Sequence, residues 1–306
     1  MKSAFHSSLI TFHSSLLMHK LRVFLDMIRF EHTIFALPFA YLGMVLAWGD
    51  WKRANWWDFV WITVAMAAAR TAAMSLNRLI DQRIDAQNPR TARRPIQTGA
   101  IEARTVLFYA VLSLVILGGA AWLLDPLAFY LFPGALVFLV GYAYTKRFTW
   151  LCHYILGFTD GLAPMGAWAA VRGSLFTAAD LPAWLLMAVV TFWIGGFDVI
   201  YGCQDVEFDR RVGLHSIPAR FGLKTGLRVA AASHVLTVLL LIGLGLLLQL
   251  QWPYWVGVAA VAGLLLYEHS LVSPTDLSKL GIAFFNVNGY ISVTIFVATL
   301  AAVVIA

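Results

Sequence analysis

This sequence predicts an all-α integral membrane bundle of about nine transmembrane helices, and three observations carry the prediction. Of its 306 residues, 60% are hydrophobic and only 12% charged, about half the roughly 25% charge of a globular domain. Runs of about 20 apolar residues, the length that crosses a bilayer, recur along the whole chain. Lys and Arg crowd alternate loops, the pattern of a membrane protein with one basic side. The net charge of +6 therefore belongs to loops beside a lipid bilayer. No basic patch interleaved with aromatic residues points to nucleic acid. Cys152 and Cys203 stand alone in apolar surroundings, which argues against a disulfide framework or a C-x-x-C metal site.

Residues 1–19 read as a dispensable leader holding a small duplication, Phe5-His-Ser-Ser-Leu9 and Phe12-His-Ser-Ser-Leu16. Its apolar run is too short and too polar for a cleaved signal peptide. The transmembrane domain is then 20–306, with spans at 31–49, 56–80, 103–124, 127–145, 150–171, 181–204, 224–250, 252–270 and 282–305. Pro126, Pro182, Pro253 and Pro274 punctuate the boundaries. Trp48, Trp51, Trp56, Trp57, Trp150, Trp252 and Trp255 fall near span ends, where indole rings sit at the headgroup level.

Basic residues collect before the first span and after the second, fourth and sixth: Lys20, Arg22 and Arg29; Arg83, Arg90, Arg93, Arg94 and Arg104; Lys146 and Arg147; Arg210, Arg211, Arg220, Lys224 and Arg228. The alternate loops hold only Lys52, Arg53 and Arg172. By the positive-inside rule the rich side is cytoplasmic, with the N-terminus inside and the C-terminus outside. Spans two and six each run into an acidic motif and then a basic loop of about 20 residues. This suggests an internal duplication whose second half begins near residue 150.

Those two motifs are where the chemistry lies. The first is Asn77-Arg-Leu-Ile-Asp81-Gln-Arg-Ile-Asp85, and the second is Asp198-Val-Ile-Tyr201-Gly-Cys-Gln-Asp205-Val-Glu-Phe-Asp209. On a helix, carboxylates four residues apart stack on one face, where like charges repel unless a cation lies between them. Oxygen donors in this number suit Mg²⁺, which takes one or two carboxylates and shares its shell with phosphate. Carboxylates beside many arginines fit a diphosphate held by both metal and guanidinium groups. Its departure from an allylic polyprenyl chain leaves a cation, which apolar walls protect from water. Tyr142, Tyr144 and Tyr201 are candidates to stabilise that cation with their ring faces.

At these residues the chain resembles the UbiA-type intramembrane aromatic prenyltransferases. The resemblance extends over Arg90-Thr-Ala-Arg93-Arg94-Pro95, Tyr142-Ala-Tyr-Thr-Lys146-Arg147-Phe-Thr149, the Gly213…Ser216 segment and Asn286-Val-Asn288-Gly289. It implies a bundle around a central cavity and transfer of a polyprenyl group from a polyprenyl diphosphate to an aromatic acid. Carried over by position, Asn77, Asp81, Asp85, Asp205 and Asp209 are metal ligands for Mg²⁺. Lys146, Arg94 and Arg93 hold diphosphate, and Asn288 is a further substrate contact. Asp198, Tyr201 and Tyr142 lie by the reacting centre, and Arg29 binds the acceptor's carboxylate. Two departures concern the acceptor: Arg78 stands where many relatives have Asp, and Glu31-His32-Thr33 replaces an Asp-Lys-Pro-like pattern.

The resemblance favours 4-hydroxybenzoate or a related acid of a quinone route. Haem O, chlorophyll and ether-lipid transferases share the Asp pattern and stay open. A cation-coupled transporter is the reading from another class. It needs charges near mid-membrane, whereas most of these lie at helix ends beside basic loops.

Overall fold

The computed structural model describes residues 22–28 and 33–306. The leader 1–19 and the candidate residues Arg29, Glu31 and His32 lie outside the described residues. Among those described, nine long helices run as α1 (Thr33–Trp48), α2 (Trp56–Ile80), α3 (Ala103–Leu124), α4 (Pro126–Thr145), α5 (Cys152–Arg172), α6 (Leu181–Gly202), α7 (Leu223–Leu247), α8 (Trp252–Ser270) and α9 (Asn288–Val304). The segments corresponding to α2, α3, α4, α6, α7 and α9 are long and apolar enough to cross a bilayer. The protein is an all-α integral membrane bundle.

Each helix packs on its neighbour in sequence, α9 returns to α1, and α1 also packs on α5. The nine therefore form a closed ring. With lipid tails as apolar as leucine, such helices associate through close packing, which favours small residues at the contacts. Gly43 of α1 lies against the backbone of Pro164 in α5, so that a Cβ there would come within 2.1 Å of a carbonyl oxygen. Gly157 of α5 meets the backbone of Thr191 in α6 with a corresponding 2.2 Å.

The two ends of the ring differ in chemistry. At one end Trp57 donates its indole N–H to the Leu123 carbonyl (2.9 Å), and Trp48 donates to Asp58 (2.9 Å). At the other end lie the C-termini of α2, α4 and α6 with the loops that follow them, and here the acidic motifs sit. Trp150, from the expected tryptophan belt, lies at this acidic end, edge-on to Phe221.

The helices do not carry the motifs unbroken. The second and sixth spans were expected to end at 80 and 204, and α2 stops at Ile80 and α6 at Gly202. Asp81 and Asp205 occupy the break points, with φ/ψ of −89/2° and −103/5°. Both lie in the sparsely populated bridge region where active-site residues are often found. At each break a side chain takes a backbone acceptor. Arg147 donates to the Ile80 carbonyl (2.9 Å), and the Gln204 side chain donates to that of Tyr201 (2.9 Å). Short helical turns at Gln82–Asp85 and Val206–Val212 then carry Asp85 and Asp209. The last span also differs, opening with a π-helical turn at Ile282–Val287, a feature frequent at functional sites.

Candidate active site

The first motif is held by cations from two directions. Asp81, almost fully buried, accepts from Lys146 Nζ (2.5 Å) and Arg147 Nη2 (3.1 Å), both just beyond the end of α4. Asn77 Nδ2 reaches the same carboxylate at 3.4 Å. Asp85, also buried, forms an ion pair with Arg94 of the following loop. Arg78 donates to Asn77 Oδ1 (3.4 Å), while its buried Nε has no partner. Position 78 thus adds a cation to the first motif.

The second motif is reached from the first motif's loop. Arg90 grips Asp205 with two N–H groups, Nε to Oδ1 at 3.1 Å and Nη2 to Oδ2 at 2.6 Å. Its third nitrogen donates to the Tyr201 hydroxyl (3.0 Å). Asn88 Nδ2 adds a bond to Asp205 Oδ1 (3.0 Å). Burial works to lower the Arg90 pKa, but the hydrogen bond to Asp205 and the fields of Tyr201, Asp205 and Asp85 raise it above the usual guanidinium value. Arg90 is thus a fixed cation. Asp209 accepts from Ser216 Oγ (2.9 Å), and the adjacent His215 N–H bonds the Lys146 carbonyl (2.7 Å). Asp205 and Lys146 also lie within electrostatic range of Asp209, and Asp85 within range of Arg90, so the two motifs share one charged site.

Asp198 projects one turn before Tyr201 and accepts from His153 Nδ1 of α5 at 2.6 Å. His153 Nε2 in turn accepts the Ile217 backbone N–H (3.3 Å), which places the ring proton on Nδ1. Tyr201 packs on Phe284 of the π-helical turn with ring centroids 4.1 Å apart, and Phe197 and Phe285 extend the aromatic wall. Deeper in the ring, Arg70 of α2 and Asp160 of α5 are half-buried and interact electrostatically. The Arg70 Nε has no hydrogen-bond partner.

Tyr142, Tyr144, Arg93 and Asn288 make no hydrogen bond or ion pair with the motif acids, although Tyr142 lies within electrostatic range of Asp81 and Arg78. The Tyr142 hydroxyl donates to the Ala73 carbonyl of α2 (3.3 Å). Tyr144 faces outward beneath Arg147. Arg93 is exposed. Asn288 is buried, its amide spent on Glu268 Oε1 (3.0 Å) and on the carbonyls of Ala283 and Phe284 in the π-helical turn.

The sequence reading passed over Asn88, Arg90, Arg147 and His153 as functional groups. It also passed over Arg70 and Asp160, although charges inside a span are themselves a signal. Among the described residues, no three His, Cys, Asp or Glu side chains enclose a metal by themselves. Acids in cationic pairs with no closed cage form a donor set that a phosphate-bearing ligand would complete.

The UbiA prenyltransferase family model matches residues 36–303. The chain is 32% identical over 229 residues to a 4-hydroxybenzoate solanesyltransferase of Synechocystis, covering 74% of this chain and 77% of the relative. It is 30% identical over 261 residues to a 4-hydroxybenzoate octaprenyltransferase of Methylobacillus flagellatus, covering 83% and 85% respectively. Among solved structures, the apo UbiA homologue from Aeropyrum pernix K1 superposes with a TM-score of 0.79 at 32% identity, covering 89% of this chain and 98% of that one. A UbiA homologue from Archaeoglobus fulgidus, solved with GPP and Mg²⁺, shares the fold with a TM-score of 0.66 at 19% identity, covering 92% and 99%.

Proposed function

This chain belongs to the UbiA prenyltransferase family, and we propose that it transfers a polyprenyl group from a polyprenyl diphosphate to an aromatic acid of the 4-hydroxybenzoate class. The observation that carries the proposal is the bridge of Asn88 and Arg90 to Asp205. It brings two acidic motifs more than a hundred residues apart to one site rich in phosphate-binding groups. The names of the two relatives support the acceptor class.

The donor set fits Mg²⁺: hard carboxylate and amide oxygens, with no soft ligand among them. Asn77, Asp81 and Asp85 would hold it on one side and Asp205 and Asp209 on the other. When bound, the metal neutralises charge gathering on the departing diphosphate. Lys146, Arg94 and Arg93 take the remaining phosphate oxygens, with the guanidinium forks suited to two at once. The C–O bond to diphosphate breaks, leaving an allyl cation beside the Tyr201 and Phe284 ring faces, whose quadrupoles favour positive charge. Asp198, held by His153, faces the same space and stabilises the cation or orients the acceptor. The acceptor ring carbon bonds to the cation and the ring proton is then lost.

Arg70, with an open N–H inside the ring of helices, suits the acceptor's carboxylate. Arg29 is the second candidate for that role. The basic end carries Arg78, Arg90, Arg94, Lys146 and Arg147 and faces the cytoplasm by the positive-inside rule.

Membranes holding the protein, incubated with geranyl diphosphate, Mg²⁺ and a panel of aromatic acids, test the reading. Prenylated 4-hydroxybenzoate supports it. Metal-dependent diphosphate release with no prenylated acid would overturn the acceptor class, and no release at all would overturn the donor.

A further inference from the structure

The geometry points to Arg90 as a resident counter-ion that keeps Asp205 occupied until a diphosphate arrives and then moves onto that diphosphate. The inference rests on the metal and diphosphate reading above. Arg90 engages both Asp205 oxygens with two N–H groups and the Tyr201 hydroxyl with a third, and its guanidinium sits 5.3 Å from the Tyr201 ring centroid. Asn88 braces the same carboxylate, and its Oδ1 accepts the Arg90 backbone N–H (2.9 Å), which sets the arm's starting angle. In this arrangement Asp205 has little capacity left for a metal. A divalent ion arriving alone would have to displace a bidentate charge-assisted pair.

A diphosphate changes that balance. It offers the guanidinium fork the same planar pair of acceptors that the carboxylate does, with more charge. Arg90 can exchange one anion for the other without ever being left unpaired. Its side chain is about one-third exposed, so the exchange takes place at the mouth of the site. Asp209 differs, since its partner is the neutral Ser216. The second motif thus has one acid closed by a cation and one held only by a hydroxyl. Arg90 reaches from the loop after the first motif to an acid of the second, whereas Arg94, Lys146 and Arg147 pair with acids of the first motif alone. Metal binding at Asp205 is therefore conditional on the diphosphate, which suppresses loading of the empty site by divalent ions alone.

Two equilibrium measurements on the purified full chain in detergent test this. Mn²⁺ binding without diphosphate is read by electron paramagnetic resonance. Binding of geranyl S-thiolodiphosphate, an analogue that does not ionise readily, is read with and without Mn²⁺. Arg90→Ala is expected to bind Mn²⁺ roughly two- to fivefold more tightly than the parent, the order of a partly exposed ion pair. The same variant is expected to bind the analogue more weakly. Arg90→Lys, which keeps the charge and loses the fork, is expected to fall between, and it serves if the alanine variant does not fold.

Opposite signs for the two ligands are the signature of an exchanging group. A purely structural role lowers both affinities together, and that result overturns the inference. So does unchanged Mn²⁺ affinity in both variants while the parent shows Mn²⁺-dependent analogue binding. If the parent shows no Mn²⁺-dependent analogue binding at all, the failure lies in the underlying metal and diphosphate reading, and the inference falls with it.

Discussion

His153 makes two separable bonds, so its replacement by residues that imitate one nitrogen each tests the role of Asp198. Its Nδ1–H donates to the Asp198 carboxylate at 2.6 Å, and its Nε2 accepts the Ile217 N–H at 3.3 Å. A hydrogen bond to a charged group is worth about 1.5–3 kcal/mol, and a buried N–H left unpaired costs about 1–3 kcal/mol. Ile217 is fully buried, so its N–H has no water to turn to. His153→Phe removes both bonds and should cost about 3–5 kcal/mol of stability. Its freed carboxylate should also lower kcat roughly 10²-fold, the scale of an ångström of misplacement at a reacting centre. Asn places its amide nitrogen where Nδ1 lies, and Gln places its amide oxygen where Nε2 lies. His153→Asn should therefore keep most of kcat and lose stability, while His153→Gln should do the reverse. The assays are thermal unfolding in detergent and steady-state transfer from geranyl diphosphate to 4-hydroxybenzoate. An Asn variant as inactive as Phe, beside a fully active Gln variant, would refute the reasoning.

Asp81→Ala and Asp205→Ala should each abolish turnover while the protein remains inserted, as read by membrane fractionation. Chelation of divalent ions should do the same, with activity restored by Mg²⁺. Gly43→Ala should lower the unfolding temperature, because its new methyl meets the Pro164 backbone. Overpacking of about 1–3 kcal/mol outweighs the gain of roughly 1 kcal/mol in helix propensity. Asn288→Leu should destabilise by about 2–4 kcal/mol, since Glu268 and two carbonyls lose their donor. Its folded fraction should keep the parent's KM for both substrates, and a selective rise for either would return Asn288 to the binding site. Arg29→Ala and Arg70→Ala should raise the acceptor KM more than the donor KM. The variant with the larger rise identifies the carboxylate-binding group.

The acidic motifs were legible because their information is local. Asp81 and Asp85, or Asp205 and Asp209, are separated by one turn's worth of chain, and a short window of sequence contains the whole pattern. Their partners are not local. Nothing in the string pairs Arg90 with Asp205 or His153 with Asp198, since each contact depends on how loops fold over the bundle end. The long-range contact at the first helix break was hidden for the same reason. Beside Asp81, Arg147 from another helix end takes the Ile80 carbonyl, and no propensity scale contains that contact. The π-helical turn at Ile282–Val287 is followed by Asn288, whose bond to Glu268 across two helices is likewise non-local.

Hydropathy fell short for two long helices that carry ionisable side chains. Lipid demands apolar residues only on the surface it touches, and a helix flanked by protein is released from that demand. Helix α5 packs on α1, α4 and α6. It carries His153, Asp160 and Arg172 and falls outside the group of helices apolar enough to span by composition alone. Helix α8, between α7 and α9, carries Glu268 and His269 and falls outside it too. In a closed ring of helices, a charge that weakens a span's hydropathy must find a protein partner or an inner polar space, because lipid offers neither. Arg70 and Asp160 illustrate this, facing each other from α2 and α5. A hydropathy profile of such a chain is therefore informative at its dips as well as its peaks: the dips mark charges that protein neighbours must hold, whereas the acidic motifs lie at the ends of α2 and α6, which are apolar enough to span.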